Sequence, residues 1–332
     1  MTSLPARLAC AAALTFFAAD ANAETWRLSS MMTAESFEGQ SYQKFAELVS
    51  EYTDGDIEIR IYPNEQIGSM NSVVEQLSLG LIQLAPSGSS FLARWEEGIR
   101  YAAAPFLFDD YAHWSNFIEG DLFQSWLKSV EETADISVLG SIPDMPRGSF
   151  RTLLTKEPIE TAADIEGLKI RQYQNELVID AWTHLGAEVR VLPWGEVYDG
   201  INRGIVDGVT SPAELIKSMR FYEVAPNIIR TDEYPQAVAW MMNKKAWDKL
   251  SEENKAAMLR AHKEAAAFGR DLLAKASASM QAELEAVEGV KVNFEFDSSP
   301  LVAKMAEFYE AREAAGKLPA GLLDAVKAAR GK

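Results

Sequence analysis

The chain has 332 residues, a formal net charge of −17 and 48% hydrophobic residues. Such a length can bury an extensive core and fill more than one domain. The acidic balance argues against a phosphate-backbone binder and for a soluble protein, while leaving room for a local basic pocket.

At the N-terminus, Arg7 precedes an apolar run over 8–19, and Ala21-Asn22-Ala23 has the small-x-small form of a cleavage site. The run falls short of the about 20 residues that cross a bilayer. A secretory signal cut after Ala23 is predicted; a buried N-terminal helix is the alternative. Cys10 is the sole cysteine, and Arg7 stands three positions before it, where lipid attachment wants an apolar residue. It leaves with the signal, so the exported chain has neither disulfides nor a thiol nucleophile. The signal carries one basic and one acidic residue, so its loss leaves the net charge unchanged. No second hydrophobic span follows.

From Glu24 strand-like and helix-like pieces alternate. Residues 25–30 read as a strand, 37–53 as an amphipathic helix, 56–63 as a strand of period two, 69–80 as a helix and 81–87 as an apolar strand. Pro63 and Gly68 bracket a turn. A short apolar segment at 104–108, one helix over 112–133 and a strand at 136–142 complete most of a first α/β lobe. A second lobe starts near Gly148, with strands at 150–155, 168–171, 187–193 and 205–211, a short capped helix at 160–167 and a helix around 194–204. Gly204, Gly208 and the Thr210-Ser211-Pro212 turn let the backbone bend close to a ligand. Residues 237–243 read as a strand that returns to the first lobe. The alanine-rich stretch 247–286 is longer than a usual globular helix and is expected to contain a break. A strand at 290–296 re-enters a sheet, and terminal helices lie beyond Pro300. The pattern predicts an α/β protein of two lobes with mixed, mostly parallel sheets.

Ligands in such sheets favour the loops beyond the strands' carboxyl ends. Arg171 ends the strand at 168–171, where a guanidinium beside a cleft is suited to catching a small carboxylate, and Arg151 starts another extended run twenty residues upstream. Ser29 and Ser30 end the first strand, and Ser87 and Ser89 flank Gly88 after the third, where hydroxyl and backbone donors gather. Enzyme chemistry has little to stand on. His113, His184 and His262 lie in separate helical contexts without metal-ligand spacing, and no GxGxxG, phosphate-loop or GxSxG pattern occurs. Asp109-Asp110 reads as a solvated cap. No cofactor, metal or catalytic residue is assigned. A lyase or hydrolase using scattered carboxylates, and a ligand-dependent sensor, stay open as alternatives.

Four segments, 61–85, 104–110, 150–171 and 185–208, taken in this order and spacing, make the chain resemble the periplasmic solute-binding component of tripartite ATP-independent periplasmic (TRAP) transporters, the DctP-like family. The resemblance covers essentially the whole exported chain. It implies a periplasmic protein with two lobes joined by hinge strands and a long helix, closing on a small organic anion and delivering it to membrane subunits of the transporter. Lobe I would take 24–148 and about 236–250, lobe II about 149–235 and 287–315, with about 251–286 as the helix spanning them and 316–332 as a helical tail. A monomer that binds no nucleic acid is expected.

The resemblance makes Arg171 the residue that pairs with the ligand carboxylate. Arg151 either touches the anion or braces the closed state, or else makes a salt bridge at the domain interface, with Arg147 close by. Trp194 either walls the pocket or belongs to the core; Glu196 and Tyr198 organise their helix. Glu65 and Asn71 fall where the family adds polar contacts, and Tyr234 could reach in from the hinge. The chain departs at Ser211, where many members carry asparagine before proline; its hydroxyl either meets the ligand or caps the turn. That departure puts a standard C4-dicarboxylate or sialic-acid pocket in doubt.

Overall fold

The computed structural model describes residues 23–331, so the signal segment with Arg7 and Cys10 lies outside the described residues. In chain order come β1 (Glu24–Ser29), α1 (Phe37–Tyr52), β2 (Ile57–Tyr62), α2 (Met70–Ser78), β3 (Leu84–Ser87), α3 (Tyr111–Ile118), α4 (Asp121–Ala134) and β4 (Ile136–Val138). Then follow β5 (Arg151–Thr155), β6 (Lys169–Gln172), α5 (Glu176–His184), β7 (Glu188–Val191), α6 (Val197–Asn202), β8 (Gly208–Pro212), α7 (Leu215–Ser218) and β9 (Asn227–Arg230). The chain ends with β10 (Ala239–Asn243), α8 (Lys244–Lys249), α9 (Glu252–Glu285), β11 (Lys291–Asn293), α10 (Ser299–Ala314) and α11 (Leu322–Ala329).

Two sheets organise these elements. The first has the order β2-β1-β3-β10-β4, the second β11-β9-β5-β8-β6-β7. Five of the nine strand pairings are parallel and four antiparallel. The antiparallel ones involve β10 and β5, the strands by which the chain passes between the sheets. β10 returns to the first sheet and lies between β3 and β4, after β5–β9 have built the second.

One helix differs from the sequence reading, the break expected in the alanine-rich stretch falls near its start, and one strand was not foreseen. The stretch 112–133 is two helices, because Gly120 takes an extended conformation and caps α4. The alanine-rich stretch breaks only at its beginning, where Leu250 is extended and Ser251 accepts from Asn254 N to start α9, which then runs 34 residues unbroken. Its alanines, leucines, glutamates and lysines are strong helix formers. Small residues let α1 approach closely: a Cβ on Gly269 would lie 2.6 Å from Ser41 Oγ. The short strand β9 carries no alternation that would reveal it, being buried at three of its four positions.

At about 1.5 Å per residue α9 is about 50 Å long, enough to serve both lobes. Its first half packs on the first sheet's layer, where His262 meets Trp240 edge-on at 5.2 Å. Its second half holds the second layer: Ser277 donates to Glu214 Oε1 at 2.6 Å, and the same carboxylate accepts from Ser149 N at 3.1 Å. The connection between the sheets is thus pinned to the long helix. No helix among the described residues is long and apolar enough to cross a membrane.

Candidate ligand-binding site

The cleft lies between the two sheets, at the ends of β1, β3, β6 and β8, and is open to solvent on one side. Both layers supply its walls. Met31, Met32 and Phe91 come from the first, while Arg171, Tyr173, Trp194 and Thr210 come from the second. Hydrogen bonds join the layers around it: Gly195 N donates to Glu65 Oε2 at 2.9 Å, the Ser90 and Tyr173 hydroxyls lie 3.0 Å apart, and Arg100 reaches Glu176 at 3.0 Å.

Arg171 is placed by β6, which pairs in parallel with β7 and β8. Its Nε donates to Leu192 O at 2.9 Å, and its guanidinium stands 5.2 Å from the Trp194 ring centroid. The side chain is buried, with 5% of its surface exposed. Burial pulls its pKa down to about 10, the negative charge of Glu65 working the other way. It is therefore still a cation at neutral pH. Among the described residues Nη1 and Nη2 have no hydrogen-bond partner, and no carboxylate is bonded to this group. A buried charge left so is costly unless something else pairs with it, and a planar fork of donors fits a carboxylate's two oxygens.

The neighbouring arginines are engaged. Arg151, at the start of β5, donates to Glu233 Oε2 at 3.2 Å, Gln236 Oε1 at 3.3 Å and Thr210 Oγ1 at 2.9 Å, and lies 4.3 Å from the Tyr234 ring centroid. Trp182 Nε1 donates to the other oxygen of Glu233 at 2.5 Å. Arg147 grips Glu38 with two bonds of 2.8 Å, and Tyr42 adds a third to that carboxylate at 2.7 Å. Both acids are fully buried. Among the three arginines that line the cleft, Arg171 is the one without an acid.

The other expected residues separate into groups. Trp194 lines the cleft and also packs edge-on against Phe221 at 5.0 Å, with its Nε1 buried and unpartnered. Tyr234 lines the cleft beneath Arg151, and burial raises its phenol well above the ordinary range, with Arg151 working the other way. Glu65 and Asn71 stand together at the mouth with Arg171 and Trp194. Ser30 and Ser87 sit behind the wall: Ser30 Oγ accepts from Met32 N at 2.9 Å, and Ser87 Oγ lies 3.6 Å from the Met31 sulfur. Ser89 is buried outside the lining. Ser211 turns away, its hydroxyl donating to Pro212 O at 2.9 Å, because β8 presents alternate residues to opposite faces and Thr210 takes the cleft side.

Gln172, Tyr173, Thr210, Gln236 and Phe91 line the cleft without having been singled out in the sequence. Gln172 and Tyr173 directly follow Arg171 at the strand end, a position that could have marked them. The three histidines are absorbed by the fold: His113 contacts Val326 O at 2.8 Å, His184 contacts Lys304 O at 3.1 Å, and His262 packs on Trp240. Asp110 caps α3 by accepting from His113 N at 2.8 Å, and Asp109 pairs with Arg330 at 2.6 Å.

Comparison with known proteins places this geometry. A family model described as bacterial extracellular solute-binding protein, family 7 (DctP) matches residues 28–314. A solute-binding protein of Sulfitobacter sp. is 31% identical over 323 residues, 96% of either chain. Two crystal structures of TRAP periplasmic solute-binding proteins from Roseobacter denitrificans superpose with TM-scores of 0.82. One, holding L-galactonate, is 25% identical and covers 92% of this chain and 98% of that one. The other, holding β-D-glucuronate, is 27% identical and covers 92% of this chain and 99% of that one.

Proposed function

We propose, from the premise that this chain belongs to family 7 of the bacterial extracellular solute-binding proteins, that its cleft closes on a carboxylate held by Arg171. The protein is a binding protein of the periplasm that captures a small organic acid and delivers it to a TRAP-type transporter. One observation carries the assignment of the site: a buried guanidinium with both terminal nitrogens unpartnered, in a cleft walled by both lobes. The sugar acids held by two relatives supply a carboxylate of the kind this group suits.

In the open form the lobes separate about the connections near Gly148 and 236–250 (lobe I being 24–148 with the latter segment), and Arg171 is reached by solvent. The ligand carboxylate bonds the fork, Trp194 packs on the adjoining part of the ligand, and Arg151 braces the hinge residues Glu233 and Gln236. Closure then brings Glu65 to Gly195 and Ser90 to Tyr173, so ligand binding shifts the population toward the closed form. The closed surface is what the membrane subunits recognise. The mature protein acts as a monomer after cleavage behind Ala23.

Native mass spectrometry of the gently purified mature protein, with collisional release, tests this reading. One organic anion per chain, absent from Arg171→Ala prepared identically, is the expected result. Retention of the same anion by that variant would overturn the assignment of Arg171.

A further inference from the structure

We infer that the cleft is built for a singly charged carboxylic acid with an apolar body and with acceptor atoms rather than hydroxyls, such as a branched or aromatic 2-oxo acid. This rests on the reading of Arg171 above and goes further, to the class of acid. The charge comes first. Arg147 and Arg151 are neutralised by the buried carboxylates of Glu38 and Glu233, which leaves Arg171 as the cation facing the cleft without a bonded acid, Glu65 acting on it only from the mouth. One carboxylate balances it. A second would enter a closed site with no unpaired cation to meet it, and a buried unpaired charge is strongly disfavoured.

The hydrogen-bonding inventory points the same way. Among the described residues no carboxylate lines the space around Arg171, Thr210 and Gln236. Its side-chain oxygens are largely committed: Thr210 Oγ1 accepts from Arg151 and from Gln172 Nε2 at 3.4 Å, and Gln236 Oε1 accepts from Arg151. The Tyr173 hydroxyl is already bonded to Ser90 and to Asn175 Nδ2 at 3.2 Å. Glu65, at the mouth, spends its two oxygens on the backbone N–H groups of Gly195 and Met70. Behind the hinge strand, Asp109 is paired with Arg330 and Asp232 with Arg230. The Gln172 amide oxygen is left to receive a ligand's protons, while the Tyr234 hydroxyl is already engaged with that of Tyr173. Donors are plentiful by contrast: both Nη atoms of Arg171 and the two unengaged N–H groups of Arg151. Met31, Met32, Phe91, Trp194, Pro212 and Leu215 form the rest of the wall. A chain of sugar hydroxyls brings several protons to a site with few acceptors, and each one stranded weakens binding roughly ten- to a hundredfold. An oxo group beside the carboxylate brings acceptors only.

Calorimetry on the mature full chain, freed of co-purified ligand, would use 4-methyl-2-oxopentanoate, phenylpyruvate, D-galacturonate, L-galactonate and succinate, with Arg171→Ala and Arg171→Lys alongside. Circular dichroism and melting curves would establish that both variants are folded. The expected result is one oxo acid bound at least about a hundredfold more tightly than the sugar acids and succinate, with that binding lost in Arg171→Ala. Tighter binding of a sugar acid or of succinate, still dependent on Arg171, would overturn the inference and leave the Arg171 site standing. Failure of both oxo acids to bind would also overturn it. Binding of any probe that is indifferent to both substitutions would remove the Arg171 reading along with it.

Discussion

Arg171→Ala separates binding from folding more cleanly than any other change in this molecule. In the closed cleft the guanidinium makes one protein hydrogen bond, to Leu192 O, and one ring contact, to Trp194, while burial holds its pKa down to about 10. Removal therefore discards a poorly solvated charge as well as its contacts. The two effects oppose, and the ligand-free stability should change by no more than about 1 kcal/mol. The bound state is different. There the truncation would strand a ligand carboxylate inside a closed cleft, and losing one partner of a buried, hydrogen-bonded charge pair costs about 2–5 kcal/mol. The dissociation constant should rise about 30- to 5000-fold. Arg171→Lys keeps the charge but loses the fork and the bond to Leu192 O, so it should fall between wild type and alanine. Titration calorimetry with the released ligand measures both variants, and thermal unfolding without ligand supplies the control. A dissociation constant for the alanine variant within about threefold of wild type, at unchanged stability, would refute the argument.

Glu65→Ala removes the carboxylate that accepts Gly195 N across the cleft at 2.9 Å. Because solvent reaches this bond, affinity should fall only about three- to tenfold, and small-angle scattering should show a more open average form; an unchanged affinity and radius of gyration would mean that Glu65 does not stabilise closure. Glu38→Ala leaves Arg147 buried without its acid, where Tyr42 also anchors. It should lower stability by about 3–5 kcal/mol in urea unfolding, and a loss below about 1 kcal/mol would show that the pair is not held as described. His262 is buried against Trp240, and burial lowers its pKa to about 4 from an ordinary 6.5. The unfolded chain takes up this proton first as pH falls, so the contribution is intact above pH 6.5 and is lost progressively down to about 4, by about 3 kcal/mol in all. His262→Gln should flatten that part of the stability–pH profile, and an unaltered profile would rule His262 out as its source. Gly140→Ala should also destabilise, since φ is +69° and a Cβ would lie 2.3 Å from the His262 ring; a melting temperature equal to wild type would contradict that close approach.

Local pattern alone was enough to mark most strands and helices of both sheets, because period-two and period-3.6 spacing of apolar residues records which face is buried. It also marked Arg171, since a cation at the carboxyl end of a parallel strand has few structural uses. The short strand β9 escaped because four buried residues carry no period, and the split of 112–133 was hidden by helix formers on both sides of Gly120. What the cleft does with its arginines could not be read along the chain. Glu38 lies 109 residues from Arg147, Glu233 lies 82 from Arg151, and Glu65 lies 130 from Gly195. Only folding decides that two of three guanidinium groups are neutralised and the third is left facing a space. The same holds for Thr210 and Ser211: their order in the chain is fixed, but the pairing of β8 between β5 and β6 determines which hydroxyl faces the cleft. The sequence by itself thus determined the alternating elements and the likeness of their order to a known family, through local burial patterns. The tertiary structure decided which charges cancel and which side chains converge, because Coulomb attraction and hydrogen bonding act through space and not along the chain.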